Sequence, residues 1–225
     1  MELKYNIIGS SSSGNAILYN DYLLVDCGVT FSKLKSYIKN LKIVCLTHLW
    51  LHSDHFNKTT IRKLAYEKPS VKWICRDWIV SELLKLKIPK ENIYVLKNKT
   101  KYDLGLFNIM AIDTYHDVQN TSYLIDFKPI KMYYATDTCR LDYLDELKHL
   151  DWYFLENNYN EEEIQKRIEQ KELNSEYAYE KRVIESHLSQ EKANEFLIEM
   201  MGDNSKVIYC HQHLEKGEKN ENNIK

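Results

Sequence analysis

Along the chain, short runs of alternating or continuous apolar residues give way repeatedly to stretches with helical spacing. KYNII, AILY and YLLVDCG read as strands, split by the small-residue stretch GSSSSGN and by Asn20-Asp21, which is a hairpin signal. In FSKLKSYIKNL, Phe31, Leu34, Ile38 and Leu41 share one face, which predicts a helix over 31–41. KIVCLTH returns to strand, NKTTIRKLAYEK to helix, VKWIC to strand and DWIVSELLKL to helix. A group of strand candidates follows in NIYVL, LFNIMAIDTYH, TSYLIDF and IKMYYATD. LDYLDELKHL predicts a helix and DWYFLE a strand; the charged stretch 161–182 is mostly helical in pattern, SQEKANEFLIEMM is a helix, and VIYCH is a last strand. Strands in two groups with helices between them predict two sheets covered by helices, an α/β sandwich. The expected organisation is one domain over 1–213, followed by a polar tail over 214–225 expected to be disordered.

Composition narrows the class. At 225 residues the chain can bury a real core, and 44% hydrophobic residues with 17 Tyr, six Gly and three Pro exclude a disordered or linker-rich chain. Five cysteines, an odd number without a C-x-x-C pair and mostly inside apolar runs, fit reduced core residues of a cytoplasmic protein. No signal-like start and no apolar run of the ~18 residues needed for a span are present, so a soluble protein away from membranes is expected. With 31 basic and 33 acidic residues, any nucleic-acid binding must come from a local patch. The sequence leaves the oligomeric state open.

Chemistry enters with the eight histidines. His48, His52 and His55 follow one strand, His116 ends another, His187 precedes a helix, and His211 and His213 end the last strand; His149 reads as an ordinary surface or helix-terminal histidine. Asp26 and Asp137 also end strands. Strand ends are where α/β proteins build sites, and imidazoles gathered there with carboxylates suit Zn²⁺, Mn²⁺ or Fe. A structural zinc would recruit cysteines, and none is spaced for that.

LTH followed by HSDH, then His116, Asp137 and a histidine at the last strand, resembles the H-x-H-x-D-H signature and later ligands of the metallo-β-lactamase fold. GSSSSGNAILYNDYLLVDCG, YATDT, LENNYN and AYEKRVIESHLSQEKA are most similar to the YycJ/WalJ-like exonuclease branch, related to tRNase Z and β-CASP nucleases. The resemblance implies an αββα four-layer sandwich with two divalent metal ions, Zn or Mn, in a cleft between the sheets. It places His48, His52 and His116 on the first metal, Asp54, His55 and His211 on the second, and Asp137 between them. His213 is the alternative to His211, since residues two apart on a strand face the same side. The metals would share a hydroxide and neutralise the charge of a phosphodiester under attack.

Further roles follow from the same resemblance. Asp54 counts among the catalytic groups as well as the ligands; His187, in SHLS, would protonate a leaving oxygen; Glu156 would orient His187 or a ligand histidine, or is a solvated acid. Asp26 would buttress the loop over 48–55. Candidate substrate contacts are Ser12, Ser13 and Asn15 in the small-residue turn, which is alternatively a structural turn, and Trp50. Lys58, Arg62, Lys63, Lys181 and Arg182 are phosphate contacts or solvated charges. The expected activity is metal-dependent phosphodiester hydrolysis, with DNA or RNA as substrate. The alternatives are a hydrolase of small phosphodiesters such as cyclic nucleotides, and a non-catalytic binding module with a degraded metal site.

The third alternative arises from LTHLWLHSDH, which puts three residues between His48 and His52 where the signature has one. The loop can bulge so that His48 still ligates, keep register with Trp50 in the first histidine's place, or turn helically so that His48 and His52 share a face. Indole nitrogen only donates, so the second arrangement would leave one metal. The bulge is the favoured reading, because two added loop residues cost little closure entropy.

Overall fold

The computed structural model describes residues 2–49 and 54–211 of the chain. Within them the apolar runs become two six-stranded sheets. The first orders β1 (Tyr5–Ser11), β2 (Gly14–Tyr19), β3 (Leu23–Val25), β4 (Ile43–Cys45), β5 (Lys72–Cys75) and β6 (Ile93–Val95) side by side. β1 to β3 pair antiparallel, whereas β3 to β6 run parallel. In the second sheet β7 (Lys101–Asp103), β8 (Asn108–Thr114), β9 (Asn120–Asp126) and β10 (Lys131–Ala135) form a meander, and β11 (Trp152–Glu156) and β12 (Lys206–Cys210) add in parallel beyond β10.

Parallel neighbours require crossovers, and helices supply most of them. α1 (Phe31–Leu34) follows β3, α2 (Lys58–Glu67) precedes β5, and α3 (Asp77–Lys85) precedes β6. Between β11 and β12 lie α4 (Glu161–Leu173), α5 (Glu180–Ser186) and α6 (Gln190–Met200). The longer helices are capped as their sequences suggest: Asn57, Asn160 and Ser189 accept from the N–H groups of Thr60, Glu163 and Lys192.

Period-two alternation decides the layers. Tyr19, Ile17, Met132, Tyr134, Trp152 and Phe154 face the gap between the sheets and form its core. Their neighbours Leu18, Leu24 and Trp73 face outward under Leu34, Ile61, Leu64 and Leu83 of the first helix layer. On the other side Tyr133, Tyr153 and Leu155 lie under Ala193, Phe196 and Met200 of α6. Helix, sheet, sheet and helix therefore stack as the expected four-layer sandwich. Among the described residues, no helix is long and apolar enough to cross a membrane.

Two helical expectations are corrected. The segment 141–150, read as a helix, contains only a 3-10 turn at Asp145–Leu147. Its backbone groups bond elsewhere: the Tyr153 hydroxyl lies 2.7 Å from the Leu147 carbonyl and accepts from the Leu150 N–H at 3.1 Å. The helix over 31–41 is reduced to α1 and a 3-10 turn, Lys35–Tyr37, whose remainder curls to bury Ile38 and Leu41. The charged stretch 161–182 is broken between α4 and α5, and the three-residue β7 carries too short a pattern to be read in advance.

Phe154 meets Tyr5 and Tyr19 edge-on at centroid distances of 5.2 and 5.0 Å, joining the sheets by aromatic contact. Phe154→Ala is expected to lower the free energy of unfolding by about 3–5 kcal/mol in chemical denaturation, the usual cost of emptying such a position.

Candidate metal centre

Strand direction concentrates chemistry on one edge of the sandwich. β8 and β10 point the same way across β9, and β11 and β12 run parallel to β10. Their C-terminal ends deliver His116, Asp137, Glu156 and His211 in turn, while β3 and β4 deliver Asp26, Thr47 and His48. Asp26, Asp137 and His211 have left-handed backbones, with φ of 60°, 56° and 48°. Such a conformation costs an ordinary residue on the order of 1 kcal/mol, and aspartate and histidine tolerate it better than most. The left-handed residue ends each strand, and each of the three side chains is buried and bonded into one network.

Asp26 accepts from the Thr47 backbone N–H and hydroxyl, both at 2.9 Å, and lies 2.7 Å from His55 Nδ1. With its hydrogen committed to Asp26, the Thr47 hydroxyl accepts from His48 Nδ1 at 3.0 Å. His116 Nδ1 donates to the Ser186 carbonyl at 2.8 Å. In both His48 and His116 a ligating nitrogen would then be Nε2, the arrangement that orients metal-bound histidines; in His116 that atom lies 3.2 Å from Asp117 Oδ1. His55 Nε2 lies 2.9 Å from Asp137 Oδ2, which is 2.8 Å from His211 Nδ1.

Burial and charge perturb these groups in opposite senses. Burial, followed by the neighbouring His55, pushes the pKa of His48 well below the ordinary histidine value. For His55, burial is outweighed by the carboxylates of Asp137 and Asp26, and the ring is held well above that value. Asp137 is held well below the usual carboxylate range, as the imidazoles of His211 and His55 overcome its burial.

Two groups of ligating atoms lie within 4.8 Å of one another: His48, His116 and Asp137, and separately Asp54, His55 and His211. Each offers nitrogen with carboxylate oxygen, the ligand chemistry of a borderline divalent ion. Asp54 Oδ1 is buried without a hydrogen-bond partner, as expected of an oxygen reserved for a metal. The residues present therefore fit one or two such ions. A third set, Asp137, Glu156, His187 and His211, is geometrically close but chemically occupied. Glu156 already meets Thr138 N–H at 3.0 Å, Leu188 N–H at 3.3 Å, Asn158 Nδ2 at 3.2 Å and His187 Nδ1 at 2.6 Å. It holds His187 in place, beside the rings of His116 and His211 at 5.3 Å each. The Glu156 carboxylate outweighs burial and raises the His187 pKa to about 9.

A cleft of about 350 Å³ opens over this cluster, lined by Ser12, His48, Asp54, His116, Asp137, His187 and His211 together with residues of α5. Ser12 borders the cleft, while Ser13 is exposed and turned back on Ser11. Asn15 is a correction: it is 1% exposed and meets no open space. Its amide donates to the Ser11 carbonyl and lies 2.7 Å from His55 Nε2, and its backbone N–H donates to the Asp54 carbonyl at 2.6 Å, so it holds the ligand segment rather than a substrate. Gly28 shares that task, since any Cβ there would overlap the Asp54 carbonyl. Lys58 pairs with Glu82 and Lys181 with Glu172; neither lines the cleft, whereas Arg182 does. His52, Trp50 and His213, and with them the course of the loop after Leu49 and the tail, lie outside the described residues. His48 itself stands within the candidate metal cluster, its ring 4.4 Å from that of His55 and 5.4 Å from that of His116. The sequence reading missed Asp117, next to His116, and the carbonyl of Ser186; adjacency in YHDV was the available signal for the first.

Residues 21–211 match the family described as the beta-lactamase superfamily domain, and the chain belongs to that superfamily. Its backbone has the metallo-β-lactamase fold. It resembles the metallo-beta-lactamase fold protein YhfI from Bacillus subtilis with a TM-score of 0.67 at 20% identity, covering 94% of this chain and 87% of that one. The short form of human tRNase Z matches with a TM-score of 0.63 at 13% identity over 92% of each chain. A diphosphatase of the PhnP family matches at 0.61 and 14%, over 94% and 87% respectively. At these identities the likeness is one of fold. The search of curated proteins found no match.

Thr47→Val keeps the shape of residue 47 and removes the hydroxyl between Asp26 and His48. It is expected to weaken Zn²⁺ affinity by roughly 10–100-fold, read by competition with a chromophoric chelator, with little change in the folded structure.

Proposed function

We propose that the chain is a metal-dependent phosphodiester hydrolase that cleaves DNA or RNA, of the YycJ/WalJ-like nuclease type. The observation that carries the reading is His187: it stands at the edge of the candidate metal cluster, belongs to neither of the two His/Asp sets, and is gripped through Nδ1 at 2.6 Å by the buried carboxylate of Glu156, which the backbone N–H groups of Thr138 and Leu188 hold in place. A thioester hydrolase has less need of an acid held so firmly, because a thiolate departs unprotonated whereas a phosphodiester releases an alkoxide that must be protonated as it departs. The sequence stretches around His187 and the small-residue turn support the same choice, and tRNase Z and a diphosphatase are among the proteins with this fold.

His48, His116 and Asp137 would hold one ion, and Asp54, His55 and His211 the other, with Asp137 within reach of both. Divalent ions bound there supply Lewis acidity, neutralising phosphate charge and acidifying water. The chain does the remainder. Thr47, Asp26 and the Ser186 carbonyl fix which nitrogen of each ligand histidine is offered. Asn15 and Gly28 hold Asp54 and His55 at the cleft floor. His187 keeps a proton at Nε2, Glu156 stabilises the cationic ring, and the proton passes to the leaving oxygen. Leu188 and the backbone of Thr138 keep Glu156 from turning toward the metals instead.

The test is cleavage of labelled single-stranded and duplex DNA, RNA and cyclic dinucleotides by chain loaded with Zn²⁺ or Mn²⁺. Asp137→Ala is expected to lose both bound metal and hydrolysis, whereas His187→Ala keeps its metal and slows turnover by about 10²–10⁴-fold. A metal-loaded wild type that cleaves none of these substrates overturns the reading.

A second outcome tests the pairing directly. In the metal-free chain, His187 ring resonances are expected to titrate near 9, and Glu156→Gln should move the transition to lower pH, because removing the carboxylate removes what favours the cation. Unchanged titration in that variant would show that Glu156 does not govern His187.

A further inference from the structure

Among the described residues lining the cleft, the single lysine or arginine is Arg182. α5 turns Tyr179, at its N-cap, together with Arg182, Val183 and Ser186, toward the opening, spaced by three and four residues as one helical face. The Arg182 side chain is 56% exposed, and its Nε and Nη2 both bond Asp117 Oδ2, at 3.0 and 2.5 Å. The other oxygen of Asp117 lies 3.2 Å from His116 Nε2, so the guanidinium stands one carboxylate away from the ligand cluster. Next to it Tyr179 is 44% exposed, with Lys171 Nζ over its ring at 4.1 Å.

A guanidinium fork recognises carboxylate and phosphate oxygens with the same planar geometry, so an acid that holds an arginine at a cleft rim occupies the place a phosphate can take. The aromatic ring beside it offers the flat apolar surface on which a nucleobase stacks. We propose that Arg182 and Tyr179 form a nucleotide subsite flanking the metal centre: Arg182 exchanges Asp117 for a phosphate neighbouring the scissile one, and Tyr179 carries that nucleotide's base. The proposal rests on the nucleic-acid reading above and deepens it. A site with a second phosphate position selects a polynucleotide over an isolated diester, because only the chain substrate presents two anions at adjacent positions. Asp117 keeps the guanidinium in place before substrate arrives and competes with it afterwards.

Binding separates this subsite from turnover. A short fluorescein-labelled thymidine oligonucleotide with non-cleavable phosphorothioate linkages, and its uncharged methylphosphonate counterpart, are titrated with the metal-loaded full chain and followed by anisotropy. Arg182→Ala is expected to weaken the charged strand roughly tenfold and leave the uncharged strand unchanged, with Arg182→Lys recovering part of the loss. Tyr179→Ala should weaken both strands, by roughly tenfold for one stacked base. Asp117→Asn should tighten the charged strand, and that gain should vanish when Arg182→Ala is combined with it. Metal content and thermal unfolding measured alongside separate a lost subsite from a lost fold. Equal binding of the charged strand by wild type and Arg182→Ala, equal loss of both strands in Arg182→Ala, or no binding of either strand by wild type overturns the proposal. If charged-strand binding depends on Arg182 but nothing is cleaved, the subsite stands and the hydrolase reading falls. If nucleic acid is cleaved and Arg182→Ala changes neither KM nor binding, the hydrolase reading stands and the subsite falls.

Discussion

One imidazole held between two buried carboxylates organises this molecule. His55 reaches Asp26 through Nδ1 at 2.7 Å and Asp137 through Nε2 at 2.9 Å, with its own side chain fully buried. Asp26 belongs to the end of the first sheet and Asp137 to the end of the second, so the bond chain crosses the sandwich at the edge where the apolar filling stops. Two carboxylates at such depth are expensive to desolvate and persist only when their charge is answered. His55 answers it from between them, the carboxylates of Asp137 and Asp26 outweighing burial and holding its pKa well above the ordinary histidine value. A divalent ion held by the neighbouring His and Asp groups would answer it further. The polar network and the fold thus depend on each other: the sheets fix the carboxylates, and the His55 bridge between them ties the ends of the two sheets together.

Much of this was legible in the sequence, for reasons that differ from element to element. The central strands announced themselves because they bury both faces of their sheet, which leaves runs such as MYYA and WYFL with few polar positions. The candidate ligands stood out because they follow those runs immediately, where the strand ends bring His48, His116, Asp137 and His211 to one edge of the sandwich. His187 and Glu156 were seen as partners only through motif resemblance, since 31 residues of helix and turn separate them and no local pattern encodes their contact. Segment 141–150 misled for a physical reason: its leucines have helical spacing, but the hydroxyl of Tyr153 takes the backbone groups that a helix would need. Asn15 misled in the opposite way. It sits in a loop that looks built to meet a ligand, yet it is buried, its backbone N–H bonding the Asp54 carbonyl and its amide nitrogen lying against the Ser11 carbonyl and His55.

The wall of the cleft made by α5 differs in kind from its floor. The floor is mostly buried and set by strand ends, whereas the wall carries long side chains on a short helix joined to α4 by exposed residues, with Leu173 and Tyr177 more than four-fifths open to solvent. Rigid floor and adjustable wall divide the labour expected of such a site: the first fixes where bond breaking occurs, and the second fits what is brought to it.

The Ser10 hydroxyl accepts from the backbone N–H of His211 at 2.8 Å, across a separation of 201 residues. The first β-hairpin and the last strand therefore meet at the ligand cluster, and His211 completes the set begun by Asp54 and His55. A ribosome releases residue 211 long after residue 55, so during synthesis the set of Asp54, His55 and His211 stays incomplete until the last strand has docked. An ion that needs all three would then be held only by a chain whose first hairpin and last strand have met, and a clipped copy lacking β12 would not hold it.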